Sequence, residues 1–280
     1  MINKYKWWEK VGIYAGIAVF LTFTLAPFLE AFLVSLRPLN KINSVPYKII
    51  TENMSFDAYF TMWKSVPMLH VYIFNSFFIA TAVTVIALVA VIPAAWAFAR
   101  FTFKGRDALL GAFLAINMVG GAVLIIPLFK LMNAFGWLNT YWAMIVPGAA
   151  FLIPTGIWLL RSYLMKIPRE LEEAAWVDGA SRIYILRRVI IPIAMPGIVV
   201  VAIATFIGAY AQQFLFALTF NSSTNLHPLP VGIYQFFGRQ TVLWNELMAA
   251  SLVGILPVLI IYIFLQRYII AGLTAGAVKE

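Results

Sequence analysis

The amino-acid sequence predicts an all-α polytopic membrane protein: six transmembrane helices, both termini cytoplasmic, and a short charged cytoplasmic helix between spans four and five. Three observations carry this. Apolar residues make up 63% of the 280 and charged residues only 11%, where a soluble domain carries roughly 25% charge. Six apolar stretches match the roughly 20 residues a helix needs to cross a hydrocarbon core. Alternate connecting segments hold 14 of the 20 lysines and arginines, and segments rich in these residues stay on the cytoplasmic side.

Taken in order, the first span runs from about Val11 to Leu36, behind Lys4, Lys6 and Lys10 and beside Trp7 and Trp8, residues suited to the membrane interface. Its apolar run is too long for a secretion signal and leads to no cleavage site. The external loop Arg37 to Leu69 contains "SFDAYFTMW", a candidate surface helix. The second span covers about Val71 to Ala99 and the third Ala108 to Phe129. The fourth covers Tyr141 to Leu160, the fifth Ile191 to Leu218 and the sixth Leu247 to Leu265. None of these runs alternates with the two-residue period of a barrel strand, so the backbone must satisfy itself as helix. Glycines and prolines punctuate the third to fifth spans: Gly120, Gly121, Pro127, Pro147, Pro154, Gly156, Pro192, Pro196 and Gly208. With no repeat or linker, residues 1–280 are expected to form one transmembrane domain, with a cytoplasmic tail from about 266 to 280.

Composition also excludes chemistry. There is no cysteine, hence no disulfide, thiolate metal site or thiol nucleophile. His70 and His227 lack ligand-like spacing. No phosphate-cradling G-x-x-x-x-G-K-[ST] occurs, so the chain is not expected to be an enzyme or to hold a cofactor or metal, and any ATP and Mg would be bound by partner subunits. The net charge of +9 is accounted for by the cytoplasmic segments, without nucleic acid. Membrane lipid is the implied surroundings.

Uncharged polar residues at membrane depth are costly and mark candidate substrate paths. Asn75, Asn117, Tyr210, Gln212 and Gln213 are the candidates here, although amides also serve simply to bond neighbouring helices. Glu30, two turns before Arg37, can reach the interface or pair locally.

The segment of about 166–192 stands apart. Four of the 11 carboxylates, Glu170, Glu172, Glu173 and Asp178, fall within nine positions of "ELEEAAWVDGASR". Pro168 suits the first position of a helix and Gly179 the position past its end. Glu170 favours the positive end of the helix dipole. Leu171, Ala174 and Ala175 form a small apolar face. A glycine turn and a basic helix with Arg182, Arg187 and Arg188 follow, the helix ending at Pro192 as span five begins and leading straight into it. A membrane surface would attract the arginines and repel the acids, so the acids suit a protein partner. A stand-alone secondary transporter or channel remains the rival class.

"EEAAWVDGASRIYILRRVIIP" resembles the EAA loop of ABC importer permeases, a pattern of E-A-A, three residues, G, nine residues, then I-x-L-P. Glu173, Ala174, Ala175, Gly179 and Pro192 match, with Val189 and Ile191 conservative. "NSFFIATAVTV", "AAWAFARFTFKGRD", "FGWLNTYWAMIVP", "FLFALTF" and "LPVGI" are similar to further segments of the maltose-type carbohydrate permeases, specifically the smaller six-span partner. The tail "QRYIIAGLTAGAVKE", with Gly272, Thr274 and Gly276, is similar to a glycine-rich end that in this group reaches the ATPase dimer.

The resemblance implies a prokaryotic inner or plasma membrane subunit working with a companion permease, two ATPase subunits and an extracytoplasmic solute-binding protein on a carbohydrate. It also implies ATPase coupling through Glu170, Glu173, Ala174, Ala175, Asp178, Gly179 and Pro192. A polyol, acidic sugar or glycerol phosphate is the alternative cargo. The sequence departs from the group at Ala211-Gln212-Gln213, where W-N-E is common, at Glu30 and at Gly120.

Overall fold

A computed structural model describes residues 6–42, 44–45, 48–118, 120–238 and 241–274. In chain order the helices are α1 (Trp7–Leu36), α2 (Leu39–Ile42), α3 (Asp57–Ser65), α4 (Leu69–Arg100), α5 (Arg106–Met118), α6 (Ile125–Ala134) and α7 (Trp142–Leu164). There follow α8 (Glu170–Val177), α9 (Arg182–Tyr184), a π-helical stretch Ile185–Ile190, α10 (Ile191–Ala211), α11 (Phe214–Phe220), α12 (Leu229–Tyr234) and α13 (Trp244–Thr274). Among the described residues, five helical segments are long and apolar enough to span a membrane: Trp7–Leu36, Leu69–Arg100, Trp142–Leu164, Arg182–Ala211 and Trp244–Arg267.

The sixth expected crossing is interrupted. Instead of one helix over 108–129, α5 stops at Met118 and α6 starts at Ile125, with successive tight turns between (Val123 N–H to Gly120 O 2.9 Å, Leu124 N–H to Gly121 O 3.2 Å). Each glycine costs roughly 1 kcal/mol in a helix relative to alanine, and two adjoin here. Pro127 then falls in the first turn of α6, where a missing N–H leaves no bond unmade. The fifth span is likewise broken before its expected end, because α10 ends at Ala211 and α11 restarts at Phe214, although its helix begins earlier, at Arg182.

The chain gathers into two compact units, one holding the sequence up to Leu69 with Ile233–Ile255, the other His70–Gly232 with the sequence from Leu256. In the first, the short helix expected within "SFDAYFTMW" is α3. Tyr59 and Ser35 share a hydrogen bond between hydroxyls (2.9 Å), and Ser55 N–H donates to Leu36 O (2.9 Å), so the loop returns to the end of α1. Arg37 is buried, donating to Ile49 O at 2.7 Å and pairing with Glu30 at 3.4 Å. Glu30 therefore pairs locally.

In the second unit, α5 and α10 pack on α7. The core joins Val91 and Ala95 of α4, Ile157, Leu160 and Leu164 of α7, and Ile198 and Val201 of α10. Lipid gives little hydrophobic drive between helices, so close approach at small residues supplies the packing. Gly156 is the junction: a methyl group there would come within 2.9 Å of Val91 and 3.4 Å of Val201. Gly197 lies still closer to its neighbour, 2.5 Å from the ring of Tyr163 by the same measure.

Candidate functional site

The acidic segment folds as a helix bounded at both ends. Arg169 is the N-cap residue of α8, so Pro168 lies just before the helix rather than at its first position; Glu170, Glu172 and Glu173 all fall in the first turn. At the other end Gly179 adopts φ +80°. Ala180 N–H donates to Ala175 O and Gly179 N–H to Trp176 O, both at 3.0 Å, the paired bonds of a Schellman termination. Asp178 is the C-cap.

The faces of α8 differ. Glu170, Glu173, Ala174 and Asp178 are exposed, as are Leu171, Trp176 and Val177, while Ala175 packs against the core. Glu172 is buried. Its carboxylate accepts from Trp96 Nε1 (3.1 Å) and from Arg100 Nε (2.5 Å). Arg100 Nη2 in turn donates to Ile167 O (2.9 Å). No local sequence signal marks Glu172 apart from its neighbours, because its partners lie more than 70 residues away.

As the sequence suggests, the basic segment leads straight into the long apolar helix that follows. Helix runs on from Arg182 through the π-helical stretch into α10, with Pro192 in that helix's first turn. Proline offers no N–H and its ring crowds the carbonyl four residues back; widening the preceding turn to π spacing relieves that conflict. Gly272 and Thr274 lie in the last turn of α13, while Gly276 is outside the described residues.

The membrane-depth candidates separate. Gln212 and Gln213 occupy the break between α10 and α11 and line a cavity of about 300 Å³, together with Ile79, Val83, Phe151 and Gly208. Gln213 is buried, its Oε1 accepting from Ser76 Oγ (3.3 Å). Tyr210 is buried against Phe206. Asn117 bonds Phe113 O in its own helix (3.3 Å).

Asn75 fastens a loop. Its Nδ2 donates to Asn225 O (2.8 Å) and His227 O (3.0 Å), and its Oδ1 accepts from the Tyr141 hydroxyl (2.8 Å). Asn75→Leu strands these partners at about 1–3 kcal/mol for each one left buried and unsatisfied. The expected result is a clear drop in the thermal unfolding midpoint of the detergent-solubilised protein.

Comparison with known proteins gives concordant findings. The sequence model of the family described as binding-protein-dependent transport system inner membrane component matches residues 11–274. The inner membrane ABC transporter permease protein YcjP of Escherichia coli is 35% identical over 272 residues, covering 97% of each chain. The trehalose/maltose transport system permease protein MalG of Thermococcus litoralis is 35% identical over 277 residues, again 97% of each. The sulfoquinovosyl glycerol transport system permease protein SmoH of Agrobacterium fabrum is 33% identical over 266 residues, 95% of this chain and 93% of that one. In fold, the chain is similar to the crystal structure of a bacterial ABC transporter involved in the import of the acidic polysaccharide alginate, with TM-score 0.76 at 23% identity, covering 95% of this chain and 99% of the other.

Proposed function

We propose, from the premise that this chain belongs to the family of binding-protein-dependent transport system inner membrane components, that it is the permease subunit through which an ABC importer takes up a carbohydrate. As a permease it is a non-catalytic membrane subunit. It acts as a single domain of six crossings with both termini cytoplasmic, α5 and α6 together forming the third. ATP and Mg are bound by two ATPase subunits, a companion permease completes the pore, and an extracytoplasmic binding protein delivers the cargo to this inner or plasma membrane complex of a prokaryote.

The observation that carries the reading is α8. Its exposed acids, Glu170 and Glu173, and its exposed apolar side chains, Leu171, Trp176 and Val177, offer a partner mixed polar and apolar contact. Gly179 and Asp178 hold the end of that surface, and Ala174 keeps it low enough for close approach. Closure of the ATPase subunits would push on this helix and shift the spans between inward-facing and outward-facing states, which requires ATP to favour one state over the other. The tail with Gly272, Thr274 and Gly276 would add a second contact to the same subunits.

For the cargo, the names of the trehalose/maltose and sulfoquinovosyl glycerol relatives point to sugars. The cavity beside Gln212 and Gln213 supports a neutral one, since amides and the Phe151 ring suit hydroxyls and apolar sugar faces, and none of the described residues lining it is a lysine or arginine. Tyr210, Asn75 and Asn117 complete the proposed path.

The test is purification of the complex from its native membrane with identification of the bound chains. Glu173→Lys, which reverses charge on the exposed face, is expected to reduce recovery of the ATPase subunits while leaving the permease folded. Full recovery with unaltered ATP hydrolysis would count against docking through α8.

A further inference from the structure

We infer that Glu172 is the positioning residue through which movement of α8 reaches α4, and that α4 carries the movement as a rod to the cavity at Gln213. The inference rests on the docking reading above and adds to it the route inward. Glu170 and Glu173 point away from the bundle, whereas Glu172 points into it. The Glu172 and Arg100 side chains are each only 5% exposed.

The two partners of the carboxylate, Trp96 and Arg100, sit one turn apart on the same face of α4. Arg100 also grips Ile167 O, three residues before α8 begins. One end of α4 thus holds both the carboxylate within α8 and the backbone leading into it. An ion pair this deeply buried does not slide, because any partial separation leaves charge without water.

From Arg100, α4 is continuous helix to its other end, with Pro93 inside it about one turn before Trp96. Ser76 lies 24 residues before Arg100, about 36 Å of helix. There Ser76 Oγ donates to Gln213 Oε1 (3.3 Å) and accepts from Leu229 N–H (2.9 Å). Ile79 and Val83, on the next turns, form part of the cavity wall. A displacement imposed at Arg100 therefore arrives at the break between α10 and α11.

The test uses the whole complex, with every partner subunit and the binding protein. Because the chain has no cysteine, Ala211→Cys at the cavity serves as a single reporter whose maleimide labelling rate is measured with and without a non-hydrolysable ATP analogue and Mg. The expected result is a nucleotide-dependent rate in the parent that Glu172→Gln reduces roughly tenfold, with both ATPase subunits still bound and basal ATP hydrolysis unchanged. The double variant Glu172→Gln, Arg100→Gln is expected to be no worse than the single one, since the two side chains act as one unit.

A nucleotide response preserved in Glu172→Gln overturns the inference, and so does loss of the ATPase subunits from it, which makes Glu172 a docking residue. A parent complex without any nucleotide response instead overturns the docking reading itself. If Glu172→Gln does not accumulate, the double variant, which leaves no uncompensated buried charge, carries the same comparison; failure of both makes the pair a folding element and overturns the route.

Discussion

Gly179→Pro is expected to abolish nucleotide-driven transport while the spans still fold and insert. The residue sits at φ +80°, and proline fixes φ at about −65°, so the Schellman end of α8 cannot form. The substitution also removes the N–H that donates to Trp176 O. Without that termination, the last turn of α8 frays, and the direction in which the chain enters α9 is lost. Nothing crowds the position, since an added Cβ would meet no heavy atom within 4 Å. The damage is therefore conformational and confined to the loop. Gly179→Ala separates the two causes: it keeps the N–H and costs only about 1–2 kcal/mol for a left-handed conformation, so partial activity is expected. Reconstituted ATP-driven uptake, with membrane abundance as control, measures both. Full uptake by the proline variant would remove α8 from the coupling route.

Gly197→Leu is expected to act in the opposite way, on folding before function. The Cβ alone would lie 2.5 Å from the Tyr163 ring, inside any real contact, and Tyr163 packs against the core of α4, α7 and α10. Adding even one carbon to such a site typically costs about 1–3 kcal/mol; leucine adds four carbons where there is no room for one. Little protein should survive extraction, and the remainder should unfold at markedly lower temperature. Gly197→Ala should be intermediate. If Tyr163→Ala restores Gly197→Leu, the clash itself is the cause; if it does not, α10 has failed for another reason.

How far the sequence foretold this depends on distance along the chain. The acidic helix was legible because its signals are local: first-turn carboxylates, a glycine after eight helical residues, a proline before. The break in the third span was foreshadowed by Gly120-Gly121, yet hydropathy alone read it as continuous, since a turn made of glycines and apolar residues leaves the mean hydropathy high. The basic helix leading straight into the fifth span was legible from its arginines and the apolar run that follows, whereas the widened turn ahead of Pro192 depends on geometry rather than composition. Glu172 was indistinguishable from Glu170 and Glu173 because Trp96 and Arg100 stand on another helix. Asn75 raised the right question, a polar group at depth, but its partners on the loop near Asn225 and His227 appear only once the chain has folded.

The π-helical stretch Ile185–Ile190 has a geometric consequence for the length of its loop. A π turn holds one residue more than the α turn it replaces, and one residue of α-helix corresponds to about 100° of rotation and 1.5 Å of rise. The chain between Gly179 and Pro192 therefore works as a vernier: adding or deleting a single residue would not merely lengthen or shorten the connection but would turn α8 to a new azimuth about the axis of α10, swinging its acidic face away from whatever surface it meets. The nine-residue spacing between Gly179 and Val189 is thus an angular setting as much as a length.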